Sequence, residues 1–429
     1  MIGGDSVFPD WVASRAATTP DKMALVVAGK TWSYGMLEAE TTGMAQRLRA
    51  VGVTPGDRIA TLLHNGPAAA IMPHAALRLG ATLVPLNTRL TESELAWQLG
   101  NASPRLVVTE SRLSERLATA QRENPTVGVI SSGARDSGFL EASSPRPFEV
   151  GTKVSKRSSE TPDEQARPLR LVHDGNHVAA LVYTSGTTGR PRGVMLTVGN
   201  FWWNAIGSAL NCGTHQEDRW LVCLPLFHVG GLSIIMRAAI HGIAAQIHDR
   251  FDAHAVNAAI DDERVTIVSL VAVMLQRVLD ARGDKPFPRS LRYILLGGGP
   301  APAALLDRCS SLGARVLTTY GMTETCSQVV TMPPDERAHS GSAGKALYPN
   351  EIRIVMPDGA GARPDAAGEI LVRGPVVMAG YADEPELNAR TIVDGWLHTG
   401  DLGRLDASGF LYVLDRRDDL IISGAENIY

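Results

Sequence analysis

The absences in this sequence narrow its function first. There is no basic excess: 41 Lys and Arg stand against 45 Asp and Glu, a net charge of −4. A nucleic-acid surface would need a basic stripe, so no nucleic-acid partner is expected. Four cysteines, Cys212, Cys223, Cys309 and Cys326, show no metal-like pairing. Reduced thiols in a cytoplasmic chain are the expectation. Met1-Ile2-Gly3-Gly4-Asp5 lacks the basic and apolar regions of a signal peptide. The apolar stretches are interrupted, Ala68–Val84 by His74 and Arg78, Gly231–Ile247 by Arg237 and His241. No membrane span is expected from them. No repeat or coiled-coil heptad is evident.

What is present is a soluble globular composition, 44% apolar and 20% charged, in 429 residues. That length exceeds one ordinary core and implies two or more units. The organising stretch is Tyr183-Thr184-Ser185-Gly186-Thr187-Thr188-Gly189-Arg190-Pro191-Arg192-Gly193. The apolar run Val178–Val182 before it reads as a buried strand, and Thr197 to Leu210 after it as mostly helical. Glycines allow close backbone approach, successive N–H groups make an anion nest, and hydroxyls and arginines add donors and charge. That is the chemistry of a polyphosphate cradle. A flexible surface loop is the plain alternative. The common P-loop is excluded, because no Lys follows Gly189.

Around this loop, strands and helices alternate. The Asp21–Val27 and Thr31–Ser33 stretches read as a hairpin, Ser33 as a helix cap, Ala68–Leu79 as a helix closed by Gly80, and Thr91 as the start of another helix. Strands are expected at Asp57–Leu63, Thr82–Pro85, Leu106–Thr109, Asp218–Leu224, Val265–Val268, Leu291–Leu296 and Arg315–Tyr320. This is α/β of doubly wound character. Residues 149–170 break the pattern as an irregular polar stretch. After Gly341, short alternating strands at 351–355, 368–373 and 409–414 suggest a small β-rich unit. The expected division is 1–170, 171–340, 341–415, and a hinge at 416–429.

Six ordered blocks carry a resemblance: Tyr183–Gly193, Pro225-Leu226-Phe227-His228, Gly297-Gly298-Gly299-Pro300, Thr319-Tyr320-Gly321-Met322-Thr323-Glu324, Trp396-Leu397-His398-Thr399-Gly400-Asp401 and Asp415-Arg416. Together they resemble the acyl-adenylate-forming (AMP-binding) family over nearly the whole chain. Within it, Asp218-Arg219-Trp220, Leu224–Ser233, Leu295–Pro302 and Tyr320–Gln328 are most similar to the o-succinylbenzoate–CoA ligases of menaquinone synthesis. The resemblance implies an α/β domain of two subdomains with a smaller β-rich one. It also implies an ATP-dependent acid–thiol ligase using ATP, Mg2+ and coenzyme A on a small carboxylic acid.

The implied roles follow block by block. Ser185, Gly186, Thr187, Thr188 and Gly189 would hold the β- and γ-phosphates, with Arg192 supplying charge. Thr184 and Glu324 would stand on the magnesium side. Gly298, Gly299 and Pro300 would pack on adenine, with Thr319 and Tyr320 lining the nucleotide pocket. Asp401 would take the ribose hydroxyls, assisted by Arg416. His228 would border the reacting carboxylate, and Arg237 would grip an aromatic carboxylate. Ser327 and Gly344 would line the acyl pocket, and Asp418 would be the hinge. The plain alternatives are a surface Glu324, a turn-capping Asp401, a packed His228 and a solvated or paired Arg237.

Two departures stand out. Arg192 occupies a position where Lys is usual, and Ala425 one where Gly is common. In the family, a mobile C-terminal domain bearing a catalytic lysine follows the hinge. The chain stops at Tyr429, so slow adenylation is expected of it. A benzoate or fatty acid as substrate, or a non-catalytic nucleotide-binding role, are the competing functions. A homodimer is the expected assembly.

Overall fold

The computed structural model describes residues 6–132, 149–150, 168–184, 191–336, 339, 341–415, 421–423 and 426–428. The apolar runs become two mostly parallel sheets. Among the described residues the first has eight strands. Edge to edge they are Gly380–Tyr381, Arg192–Thr197, Val178–Thr184, Thr82–Pro85, Arg58–Leu62, Leu106–Glu110, Gly128–Ser132 and Glu149–Val150. The second has nine: Lys345–Ala346, Ser327–Thr331, Val316–Met322, Tyr293–Leu296, Ile267–Leu270, Arg219–Val222, Ala244–Ile247, Met23–Val27 and Lys30–Ser33. A third, antiparallel sheet combines Glu351–Val355, Gly368–Arg373, Trp396–Leu405, Ile392–Val393 and Leu411–Asp415. The expected α/β class with a β-rich addition is what the chain adopts.

Both large sheets wind in the same way. In the first, the chain leaves Arg58–Leu62 for a neighbour on one side, Thr82–Pro85, and then returns to the other side at Leu106–Glu110. In the second, Arg219–Val222 is flanked in the same order by Ala244–Ile247 and Ile267–Leu270. Each sheet therefore has a topological switch point, where helices diverge from the carboxyl ends of the strands and leave a crevice. Sheet membership does not follow chain order. The hairpin Met23–Ser33 joins the second sheet, and the strands around the Thr184 loop join the first.

Local chemistry sets the helices. Ser33 Oγ accepts from Met36 N at 3.3 Å, and Thr91 forms a capping box with Glu94. Gly80, at φ +67, closes the helix Pro67–Leu79. Val12, Leu48, Ile59, Val107 and Leu275 are completely buried, each worth about 1.5–3 kcal/mol. Glu149–Val150, at the start of the stretch read as irregular, instead pairs antiparallel with Gly128–Ser132. Among the described residues no helix is long and apolar enough to cross a membrane.

Candidate active site

The loop at Thr184 connects a hairpin. Val178–Thr184 turns back as Arg192–Thr197, with Thr184 opposite Arg192. The sequence reading expected the helix with no strand before it. A strand forms because Val194 and Leu196 alternate into the core, and the helix Val198–Cys212 starts only at the Thr197–Asn200 capping box. Gly193 is required by close packing, since a Cβ there would meet Leu181 Cδ1 at 2.9 Å. The expected cradle residues Ser185, Gly186, Thr187, Thr188 and Gly189 lie outside the described residues, as do Arg416, Asp418 and Ala425. The structure fixes the two ends of the cradle.

Glu324 reaches this hairpin from far along the chain. It sits on the short 3-10 turn Thr323–Thr325 that follows the strand Val316–Met322. Tyr381 joins the two. Its hydroxyl donates to Glu324 Oε1 at 2.8 Å, and the Arg192 guanidinium lies 5.6 Å from its ring centre. Sequence reasoning missed Tyr381. The available signal was the Gly380-Tyr381 pair amid turn residues, which carries no chemistry until the strand pairing Val194↔Tyr381 is known.

Most residues expected at the nucleotide lie toward the carboxyl end of the second sheet, and Asp401 reaches them from the third. Gly298, Gly299 and Pro300 are exposed just past the strand Tyr293–Leu296. Gly298 has φ +80, a conformation that favours glycine. The Thr319 hydroxyl is spent on Val330 O at 2.7 Å, while its methyl group presses on Gly297. Tyr320 donates to Asp401 Oδ2 at 2.8 Å, in a buried contact across two sheets. Asp401 lies inside the strand Trp396–Leu405, so it is not a turn cap. The block before it is ordered by Glu369, which accepts from Gly400 N at 3.0 Å and lies 3.1 Å from His398 Nδ1.

The residues expected on the acid side, His228 and Arg237, lie at the cap and within the helix Val229–His241. A Cβ at Gly231 would meet Pro225 O at 2.3 Å, so the Gly230-Gly231 pair lets this helix start tight against the loop carrying His228. Asn65, from the loop after Arg58–Leu62, braces the same loop. It accepts from Leu226 N at 2.8 Å and donates to Leu224 O at 2.9 Å and His248 O at 3.1 Å. Sequence reasoning missed Asn65 as well; nothing local marks a residue that acts 161 positions away.

Arg237 follows on that helix and is only 2% exposed. Its Nε and Nη2 both donate to Asn204 Oδ1, at 3.0 and 2.5 Å. Asn204 Nδ2 passes the chain on to Gln328 O at 2.8 Å. Among the described residues no carboxylate pairs with Arg237. Burial lowers its guanidinium to about 10, so it remains charged at neutral pH. With no carboxylate beside it, this buried charge is held by the Asn204 amide oxygen and lies 5.5 Å from the Trp220 ring centre. Ser327 begins the next strand at φ +90, directly after Cys326 at φ +53. Two non-glycine residues in the left-handed region mark stored strain beside the site. Gly344, at φ +108, packs on Thr331 and Met332 backbone with no room for a Cβ.

Among the described residues no group of three or more His, Cys, Asp or Glu is placed to cage a metal. A Mg2+ arriving on polyphosphate needs less, one or two carboxylates plus the phosphates. Thr184 and Glu324 are hard-oxygen donors of that kind.

Comparison with known proteins agrees with this geometry. The AMP-binding enzyme family model matches residues 12–382. The chain is 42% identical to 2-succinylbenzoate–CoA ligase of Geobacillus kaustophilus over 99% of its length and 80% of that protein's. It is similar to o-succinylbenzoate CoA synthetase of Bacillus subtilis in complex with the acyl-adenylate intermediate. That match has a TM-score of 0.84 at 39% identity, covering 99% of this chain and 81% of the other. The N-terminal domain of FACL13 from Mycobacterium tuberculosis matches with a TM-score of 0.82 at 27% identity, over 95% and 98% of the respective chains. The chain therefore belongs to the AMP-binding enzyme family.

Proposed function

We propose that this protein is the substrate-binding body of an ATP-dependent acid–CoA ligase, and that its acid is an aromatic dicarboxylate of the o-succinylbenzoate type. In the first half-reaction a carboxylate oxygen attacks the α-phosphorus of ATP and pyrophosphate leaves. In the second, the thiol of coenzyme A attacks the acyl carbon and AMP leaves.

The chain's own groups have distinct tasks in this scheme. The Thr184–Arg192 hairpin holds the outgoing pyrophosphate, where charge accumulates. A Mg2+ bound at Thr184 and Glu324 would supply charge neutralisation on the phosphates. Gly298–Pro300 and Thr319 form the adenine ledge. Asp401, oriented by Tyr320, accepts from the ribose. His228 borders the reacting carboxylate at the start of the Val229–His241 helix. Ser327 and Gly344 flank the acyl group. In this reading Arg416 assists at the ribose, Asp418 is the hinge, and the four expected units of the chain carry these parts.

The observation that carries the choice of acid is Arg237. Its Cα lies about 13 Å along the helix from His228, and helical side chains lean back toward the N-terminus. In this reading the second carboxylate of the acid pairs with that guanidinium. A benzoate or fatty acid offers no second anion to offset the buried charge. Structures of the Bacillus subtilis synthetase hold its acyl-adenylate intermediate, ATP with magnesium, and a product analogue, which supports the same ligand set here. The test is coenzyme A thioester formation by the intact enzyme across a panel of acids. Preference for o-succinylbenzoate over benzoate and decanoate is expected; preference for a monocarboxylate would remove the assignment.

A further inference from the structure

Tyr381 has no task in the scheme above, yet it touches both halves of the phosphate grip. Its hydroxyl meets Glu324 Oε1 at 2.8 Å. Its ring lies under Arg192, directly opposite Thr184 in the hairpin. The residue is 6% exposed, and its backbone is fixed on three sides. Asn388 Oδ1 accepts from Tyr381 N at 2.7 Å, and Asn388 Nδ2 donates to Tyr381 O at 2.8 Å. The strand pairing Val194↔Tyr381 holds it against the hairpin. Ala382 N then donates to Gly193 O at 2.8 Å. Gly380 belongs to the same clamp, because a Cβ there would strike the Asn388 side chain at 2.9 Å.

Glu324, by contrast, stands on a single 3-10 turn followed by two residues in the left-handed region. A short turn fixes a backbone better than it fixes a two-bond-longer carboxylate. The segment carrying Tyr381 supports it at two points. Met378 N donates to Glu324 O at 2.9 Å, and the Tyr381 phenol takes the carboxylate itself.

We propose that Tyr381 is a positioning residue that sets the rotation of the Glu324 carboxylate, and through it the affinity for the divalent cation carried by the nucleotide. The proposal rests on the reading of Glu324 as the cation-side carboxylate. A hydrogen-bonded partner behind a ligating carboxylate typically changes metal affinity about 10–100-fold. A merely structural Tyr381 would change folding stability and leave cation affinity alone.

The experiment uses the whole chain with Mn2+ as the probe and a non-hydrolysable ATP analogue present. Free Mn2+ is read by electron paramagnetic resonance. For Tyr381→Phe the expected result is about tenfold weaker Mn2+ binding, with the melting temperature close to the parent's. Glu324→Gln should weaken Mn2+ binding at least as much. Unchanged Mn2+ affinity in Tyr381→Phe, with loss in Glu324→Gln, overturns the role of Tyr381 alone. Unchanged affinity in both overturns the reading of Glu324 as well. Asn388→Ala keeps the phenol and removes its backbone clamp. It should shift Mn2+ affinity in the same direction by less, and it decides the matter if Tyr381→Phe does not fold.

Discussion

The two large sheets share one winding and differ in what lies at their switch points. At the first, the crevice between Arg58–Leu62 and Leu106–Glu110 is spanned by the protein's own carboxylate. Glu110 Oε1 accepts from His64 N at 2.6 Å, and its Oε2 lies 3.3 Å from His64 Nδ1. Arg112 also donates to it. At the second, the corresponding loop leads to His228, and the buried, cationic Arg237 lies nine residues further along the helix that starts there, beside Trp220. The first crevice supplies its own anion; in the proposed reading, the cation on the helix after the second takes an external one. The loops are also linked, because Asn65, next to the latched His64, holds the backbone at Leu224 and Leu226. The same topology thus serves as a brace in one place and, in the proposed reading, as a site in the other.

The strongest way to break this comparison is Arg237→Leu. Losing one partner of a buried charge pair costs about 3 kcal/mol, roughly a hundredfold or more in affinity. Calorimetry with the o-succinylbenzoyl adenylate mimic should show that loss. Thermal unfolding of the unliganded variant should show little change, because relief of a buried charge without a carboxylate partner offsets the loss of the two hydrogen bonds to Asn204. Next in size is Asn65→Ala, which removes three hydrogen bonds across the two units. About 2 kcal/mol of stability should go, and acid affinity should fall while ATP affinity holds. If neither moves, the brace is incidental.

Glu110→Gln sharpens the contrast from the other side. It should cost about 1 kcal/mol of stability and leave adenylate affinity unchanged in a parallel titration. Weakened binding would mean that the first crevice belongs to the site.

The smallest expected difference between the sheets concerns pH. His74 and His241 lie on the helices that follow the two corresponding strands. Burial lowers each from 6.5 to about 4. Between these values the unfolded chain binds more protons than the folded one, so stability falls as pH drops from about 6.5 to about 4. Below that, Asp10 adds to the loss. Burial acts to raise its carboxyl, but hydrogen bonds from Arg78 and His173 hold it well below the usual range. Melting curves across pH should show the first decline, and His74→Gln and His241→Gln should each remove part of it.

The parts legible in the sequence were those whose chemistry is local. Glycines near Gly298, the helix-start residues Ser33 and Thr91, and the apolar runs each act within a few positions. Asp401 and Glu324 could be singled out because their blocks are distinctive as strings. What escaped reading depends on pairings between distant strands. Arg192–Thr197 was not separated from its loop because half of its residues face the core and half do not. Tyr381 and Asn65 gain meaning only when strand order places them against Glu324 and Leu224. Arg237 was visible as a lone cation, but its burial without a carboxylate was not.

The central claim is that the second crevice binds the adenylate of a dicarboxylic acid. Isothermal titration of this chain with o-succinylbenzoyl and benzoyl sulfamoyl-adenosine tests it directly. The account predicts binding of the dicarboxylate mimic tighter by roughly a hundredfold, the value of one buried guanidinium–carboxylate contact. Equal affinities, or a preference for the benzoyl compound, would contradict it.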